Sequence, residues 1–266
     1  MQTKPTFIII ILSIIVLSAC EDLFDYSPYE TEIRVEDQDQ WKENISALQI
    51  YNDSEADSFS FVAISDSHLD YYQLEKAIKR INTMQGIDFV VHLGDMTDQG
   101  WLSEYELFSD YISGLHLPIL TCIGNHDYLS NGEKIYNSMF GTNNYFILFK
   151  NVKLVFFDGT TLESNKSPDF EWLRNQLTGS NQPVIIFSHV PPRGEQYTKK
   201  YSDTYRKLLI ENNVMLSVHG HEHIHYYDDM LSSGTNMLIT GSVGNKNLCR
   251  INIRKDGSYS YQMIPF

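Results

Sequence analysis

The stretch FSFVAISDSH, residues 59–68, changes character within one step. An apolar run with strand-forming side chains gives way to Asp66-Ser67-His68, a carboxylate and an imidazole two positions apart. A short continuous apolar run of this kind reads as a buried strand. The same change recurs down the chain. DFVVHLG (88–94) leads into Gly94-Asp95-Met96-Thr97-Asp98, and PILTCIG (118–124) into Gly124-Asn125-His126-Asp127. PVIIFS (183–188) ends at His189, and VMLSV (214–218) at His219-Gly220-His221-Glu222-His223. Each polar cluster follows the carboxyl end of a strand-like run, which is where open α/β sheets place their ligands.

The segments between these runs have helical spacing. In YYQLEKAIKRINTMQ (71–85), Leu74, Ala77, Ile78 and Ile81 fall on one face. WLSEYELFSDYISGL (101–115), DFEWLRNQL (169–177) and TYRKLLIENN (204–213) read as further helices. NYFILFK (144–150) and VKLVFFD (152–158) are two more strand-like runs in the middle. NMLIT, CRINIR and SYSYQMI close the chain, with Asp256-Gly257 as a hairpin turn signal. This alternation predicts an α/β fold with sheet between helices, in a single domain over residues 59–266.

Mixed carboxylate and imidazole groups suit Fe, Zn, Mn and similar metals. The five segments in order, D-x-H, G-D-x-x-D, G-N-H-D, H and G-H-x-H, resemble the calcineurin-like metallophosphoesterase family over roughly residues 59–245. The resemblance implies a β-sandwich of mixed sheets flanked by helices, with a metal site at the C-terminal ends of the strands. It implies two divalent ions, Mn, Fe or Zn. One would be held by Asp66, His68 and His223, the other by Asn125, His189 and His221, with Asp95 bridging. Two cations about 3.5–4 Å apart need a shared carboxylate to offset their repulsion, and both lower the pKa of a bridging water to give hydroxide near neutral pH. The implied reaction is hydrolysis of a phosphate ester, monoester or diester, by that hydroxide. His126 would protonate the leaving oxygen, and Asp98 would fix its ring through the other nitrogen.

The run VHGHEHIHYY (218–227) carries histidines at every second position, but Gly220 argues against a simple strand. Only His221 and His223 fit the implied ligand pattern. His219, as the last strand residue, reads as a packing histidine. His225 reads either as a cleft residue or as a surface one. His92 and His116 read as structural, and Asp127 and Glu222 as groups that hold loops. Arg193, close after His189, reads equally as a substrate contact or a solvated loop charge. Gln99 stands where protein serine/threonine phosphatases carry arginine, and Asp98 where purple acid phosphatases carry a tyrosine ligand. Both departures point toward bacterial phosphodiesterases and phosphomonoesterases. A cyclic-nucleotide phosphodiesterase is one alternative. A non-catalytic surface-binding lipoprotein on the same fold is another, although every implied ligand is present.

The N-terminus follows other rules. Downstream of Lys4, FIIIILSIIVL is too short to span a bilayer comfortably and has the layout of a secretory signal peptide. It ends in Leu17-Ser18-Ala19-Cys20, which resembles a bacterial lipobox. The expectation is a signal over residues 1–19, lipidation at Cys20 and membrane anchoring of an exported lipoprotein at the periplasm, outer membrane or cell surface. Residues 21–58 hold twelve acidic and two basic side chains, so most of the formal charge of −14 follows the anchor. Residues 20–58 read as an acidic, partly ordered tether, with Trp41, Ile45 and Leu48 at helical spacing. No basic footprint for nucleic acid is present. Cys122 and Cys249 read as free thiols, although an oxidising compartment would permit a bridge.

Overall fold

The computed structural model describes residues 27–50, 52, 58–229 and 236–266. The expected signal segment and Cys20 lie outside the described residues.

Two mixed sheets pack face to face. The first has the order β11-β10-β1-β2-β3, where β1 is Phe59–Ile64, β2 Phe89–His92, β3 Ile119–Thr121, β10 Asn247–Ile253 and β11 Tyr259–Pro265. In it β1, β2 and β3 run parallel, and β10 is antiparallel to both β1 and β11. The second has the order β4-β5-β6-β7-β9-β8, with β4 Tyr145–Phe149, β5 Val152–Phe156, β6 Val184–Phe187, β7 Leu216–His219, β8 His225–Asp229 and β9 Asn236–Thr240. Its centre, β5-β6-β7-β9, is parallel, and β4 and β8 are antiparallel edges.

The side-chain period of two explains why β1 is apolar throughout. Phe59, Phe61 and Ala63 point into the sandwich, where they meet Phe149, Phe156 and Phe187 of the other sheet. Val62 and Ile64 point outward into a second core with helices α2 (Tyr71–Asn82), α3 (Leu102–Ile112) and α4 (Gly132–Phe140). A third core lies on the outer face of the second sheet, under α5 (Phe170–Leu177) and α6 (Lys199–Glu211). The result is four layers, helix-sheet-sheet-helix. Phe61 and Phe89 stack at 5.1 Å between ring centres, and fully burying one such ring contributes about 1.5–3 kcal/mol.

Within the acidic segment, residues 27–50 pack onto this body. Helix α1 (Gln40–Ile50) buries Leu48 among the sandwich side chains. The Asn44 side-chain oxygen accepts from the Ile119 N–H at 2.7 Å. That contact satisfies a donor on β3, the edge strand of its sheet, and covers an edge that would otherwise invite pairing. Arg34 ties the turn before α1 to Asp110 at 2.8 Å.

Cys122 and Cys249 are both free and buried. Helix α4 and strand β8 were not legible as elements in the sequence. The alternating histidines do not share a strand face: His219 ends β7, His225 begins β8, and His221 and His223 sit in the turn between.

Candidate metal centre

All five strand ends converge. Asp66 and His68 follow β1, Asp95 follows β2, Asn125 follows β3, His189 follows β6, and His221 and His223 follow β7. Three groups of ligand atoms lie within 4.8 Å of one another: Asp66, His68 and His223; His68, Asp95 and His126; and Asp95, His189 and His221. Asp95 and His68 each belong to two of these groups, and Asp95 links the His68–His126 group to the His189–His221 group.

Convergence requires unusual backbone. Asp66, His68, Asp95, His221 and His223 take φ of 52°, 41°, 55°, 70° and 54°. Left-handed backbone at non-glycine residues costs about 1–3 kcal/mol each and persists only where the surroundings over-determine it. The over-determination is visible. Buried Asp127 accepts from the N–H groups of Gly124, Asp95, Met96 and Thr97 at 2.9–3.0 Å, clamping the loop after β2 to the loop after β3. Asp66 accepts from the His221 N–H at 3.1 Å, joining the loops after β1 and β7. Two glycines allow these approaches. A Cβ on Gly124 would lie 2.1 Å from the Asp95 nitrogen, and one on Gly220 would lie 1.9 Å from the Ser65 hydroxyl.

The donor chemistry fits a cation. His189 Nδ1 lies 2.8 Å from the Leu93 carbonyl, which can only accept, so Nδ1 carries the proton. In the neutral ring Nε2 then presents its lone pair to Asn125 Oδ1 at 3.1 Å and Asp95 Oδ2 at 3.2 Å. His221 Nδ1 meets the same Asn125 oxygen at 2.9 Å. Acceptors facing acceptors in a buried pocket require a positive charge between them. Without a metal, a proton would take that place. Burial works against a charged His189, but Asp95 and Asp66 overcome it and push the ring up to about 10. Burial likewise opposes ionisation of Asp95, yet the His189, His126 and His68 rings hold its carboxyl below the usual range. On the other side, His223 Nε2 lies 3.2 Å from Asp66 Oδ1, and His68 Nδ1 is held by the Thr97 carbonyl at 3.2 Å.

His126 stands beside this array with its side chain about one-third exposed, its ring centre 4.7 Å from that of His68. Its Nδ1 is held by the backbone carbonyl of Asp98 at 2.8 Å, whereas the Asp98 carboxylate is 3.9 Å away. The ring is therefore oriented through Asp98, but by main chain rather than side chain.

The remaining sequence candidates separate cleanly. His219 is fully buried, donates to the Val190 carbonyl at 3.0 Å and meets Ser217 Oγ at 2.6 Å. Burial pushes it down to about 3, so it is neutral. His225 packs its ring on Tyr261. Glu222 takes the Arg193 fork in a two-pronged ion pair, with Nε at 2.6 Å and a second, shorter bond from Nη2. Arg193 also lies over the Tyr226 ring.

His92, read as structural, is buried and neutral, pushed down by burial to about 3; what escaped the sequence is its contact, and Glu163. His92 accepts from the Gly94 N–H and so donates to Ser67 Oγ at 3.1 Å, between Asp66 and His68 in the loop after β1. Glu163 accepts from Asn125 Nδ2 at 3.0 Å. No motif marks Glu163; its loop is simply polar.

Residues 59–225, more than half of the chain, match the calcineurin-like phosphoesterase family. Among curated relatives, a probable glycerophosphodiester phosphodiesterase of Arcobacter nitrofigilis is 27% identical over 154 residues, covering 49% of this chain and 56% of that protein. A probable cyclic nucleotide phosphodiesterase of Fibrobacter succinogenes is 25% identical over 113 residues, covering 41% and 44%. The chain thus spans about half the length of the curated relatives it matches. Among solved structures, the Plasmodium inner-membrane-complex anchor GAP50 superposes with a TM-score of 0.60 at 13% identity, covering 78% of this chain and 84% of that one. Yellow lupin purple acid phosphatase superposes at 0.56 and 14% identity, covering 80% and 54%. These last likenesses show the fold alone. With the ordered motifs, the two-sheet sandwich and a pocket whose donors suit a cation, the chain belongs to the calcineurin-like phosphoesterase family.

Proposed function

We propose that the chain hydrolyses phosphodiesters, with His126 serving the leaving alcohol. Bound divalent ions would supply the Lewis acidity that polarises the phosphate and activates water. The protein supplies placement. Asp66, His68 and His223 would hold one ion, Asn125, His189 and His221 the other, and Asp95 both. His126 is held at Nδ1 by the Asp98 carbonyl, so Nε2 is the atom that hands a proton to the departing oxygen.

The observation that carries the diester reading is Arg193. A fixed arginine fork beside the metals favours a monoester dianion, because it adds positive charge for the extra phosphate oxygen charge. Arg193, the arginine nearest in sequence to a ligand, is committed to Glu222. A diester monoanion needs less. Both curated relatives carry phosphodiesterase in their names, which supports the same choice. The test compares bis(p-nitrophenyl) phosphate with p-nitrophenyl phosphate in the Mn²⁺-loaded protein. A higher kcat/KM for the diester is expected, and a monoester preference of tenfold or more would refute the reading. Glycerophosphocholine and a cyclic nucleotide as further substrates separate the two diester classes.

We further propose that the enzyme works at a bacterial envelope, anchored through Cys20. The support is the apolar run ending in Leu17-Ser18-Ala19-Cys20. Mass spectrometry of protein from its native membrane should find an acylated N-terminal Cys20. An intact residue 1–19 segment would sink the idea.

A further inference from the structure

The two halves of the centre differ in formal charge. The Asp66 half has its own carboxylate besides Asp95. The Asn125 half has only the amide oxygen and two imidazoles. Amide oxygen and nitrogen are interchangeable in shape, so something must decide which atom faces the ion. Glu163 decides it. A carboxylate only accepts, so the Asn125 nitrogen must point at Glu163 Oε1, 3.0 Å away, and the oxygen must point at His189 and His221.

Glu163 is itself held. Its Oε2 accepts from Gln196 Nε2 at 2.5 Å. Gln196 is buried, and its Oε1 accepts from the Thr161 and Leu162 N–H groups at 3.0 Å each. Thr161 Oγ1 closes the loop by donating to the Gln196 carbonyl at 2.5 Å. Every donor in this chain is thus assigned: backbone N–H to Gln196, Gln196 to Glu163, Asn125 to Glu163. The direction of each bond forces the next.

We infer that Glu163 is a positioning residue that locks the Asn125 amide with its oxygen toward the ion and lends that neutral ligand part of a negative charge. A hydrogen bond to a carboxylate is charge-assisted and polarises the amide, which makes Oδ1 a stronger donor. The carboxylate lends this charge without occupying a coordination position. Gln196 is the brace that keeps Glu163 in register. The inference rests on the dinuclear reading above.

The test is calorimetric titration of metal-free protein with Mn²⁺, with metal content checked by elemental analysis. In Glu163→Ala the binding step that Asn125→Ala abolishes should weaken about 10–100-fold, as removal of outer partners typically does. The other step should stay within about twofold, and the melting temperature of the metal-free protein should hold. Glu163→Asp should recover part of the loss. Glu163→Gln should lie between wild type and Glu163→Ala, because its amide can accept from Asn125 only by turning a nitrogen toward Gln196. Unchanged affinity in Glu163→Ala overturns the inference. So does an equal loss at both steps with a lowered melting temperature, which would mean a folding role. A wild-type chain that holds fewer than two ions overturns both this inference and the dinuclear reading. A wild-type chain that holds two ions but prefers a monoester refutes only the diester reading and leaves the Glu163 comparison intact.

Discussion

His68 and His223 reach solvent, with the His223 side chain 51% exposed, whereas Asp66, Asn125 and His189 are buried. The open half has a carboxylate of its own; the closed half has an amide and fixed imidazoles. Coulomb attraction by a second carboxylate outweighs what neutral donors supply at the same distance. The open half should therefore bind its ion more tightly, despite its contact with water. The closed half gains affinity from donors that cannot turn: His189 is fixed by Leu93, and Asn125 by Glu163. Charge does the work in one half and pre-set geometry in the other. The Asp95 carboxylate is proposed to serve both.

Breaking that shared group should have the largest effect. Asp95→Asn leaves two cations facing each other without the charge between them, so both ions should be lost together. Turnover should fall well beyond the about 10–100-fold typical of outer partners. Elemental analysis checks it, and full retention of two ions would contradict the bridging assignment.

His126→Ala should leave both halves loaded but lower kcat by about 10²–10⁴-fold for alkyl esters. A nitrophenyl leaving group needs little protonation, so it should suffer less. Loss of an ion in this variant would make His126 a ligand, in keeping with its closeness to His68 and Asp95. An equal fall for both ester types with ions retained would mean that it binds phosphate instead.

Each half also rests on a buried neutral histidine. His92 orients Ser67 between Asp66 and His68, and His219 holds Val190 just after His189. Both are pushed down to about 3 by burial. The unfolded chain binds these two protons below about pH 6.5 while the folded chain does not, so stability rises with pH across that window and is lost as pH falls. Each site adds up to about 1.4 kcal/mol per pH unit. His189, held up at about 10, is protonated in both states below pH 6.5 and adds no slope there. Urea unfolding of the metal-free protein should show stability falling from pH 6.5 to 4.5. His92→Gln should flatten part of that fall, and an unchanged slope would contradict the neutral assignment.

Asp98→Asn should have the smallest effect, under about tenfold in kcat. The His126 ring is held by the main-chain carbonyl, which the substitution keeps. A loss matching His126→Ala would show that the carboxylate acts in its own right.

What was legible in the sequence follows from where information lies along the chain. Asp66, Asp95, Asn125, His189 and His221 each follow an apolar run, and that boundary is visible without a structure. Glu163 and Gln196 belong to one polar network, but they are thirty-three residues apart and neither adjoins a strand end. Their roles arise only from tertiary contact. The same holds for Asp98, because a sequence does not tell a carbonyl contact from a carboxylate one. Helix α4 hides because it is short and opens on Gly132, although Ile135, Tyr136, Met139 and Phe140 are all buried. Strand β8 hides because HYYDD is made a strand by its pairing with β9, not by its composition.

The comparison between the halves is tested most directly by titrating metal-free wild type, Asp66→Asn and Asn125→Ala with Mn²⁺. Wild type should show two separate steps. Asp66→Asn should lose or severely weaken the tighter one, and Asn125→Ala the weaker. One ion per chain, or both variants losing the same step, would contradict a centre divided between a charged open half and a braced closed half.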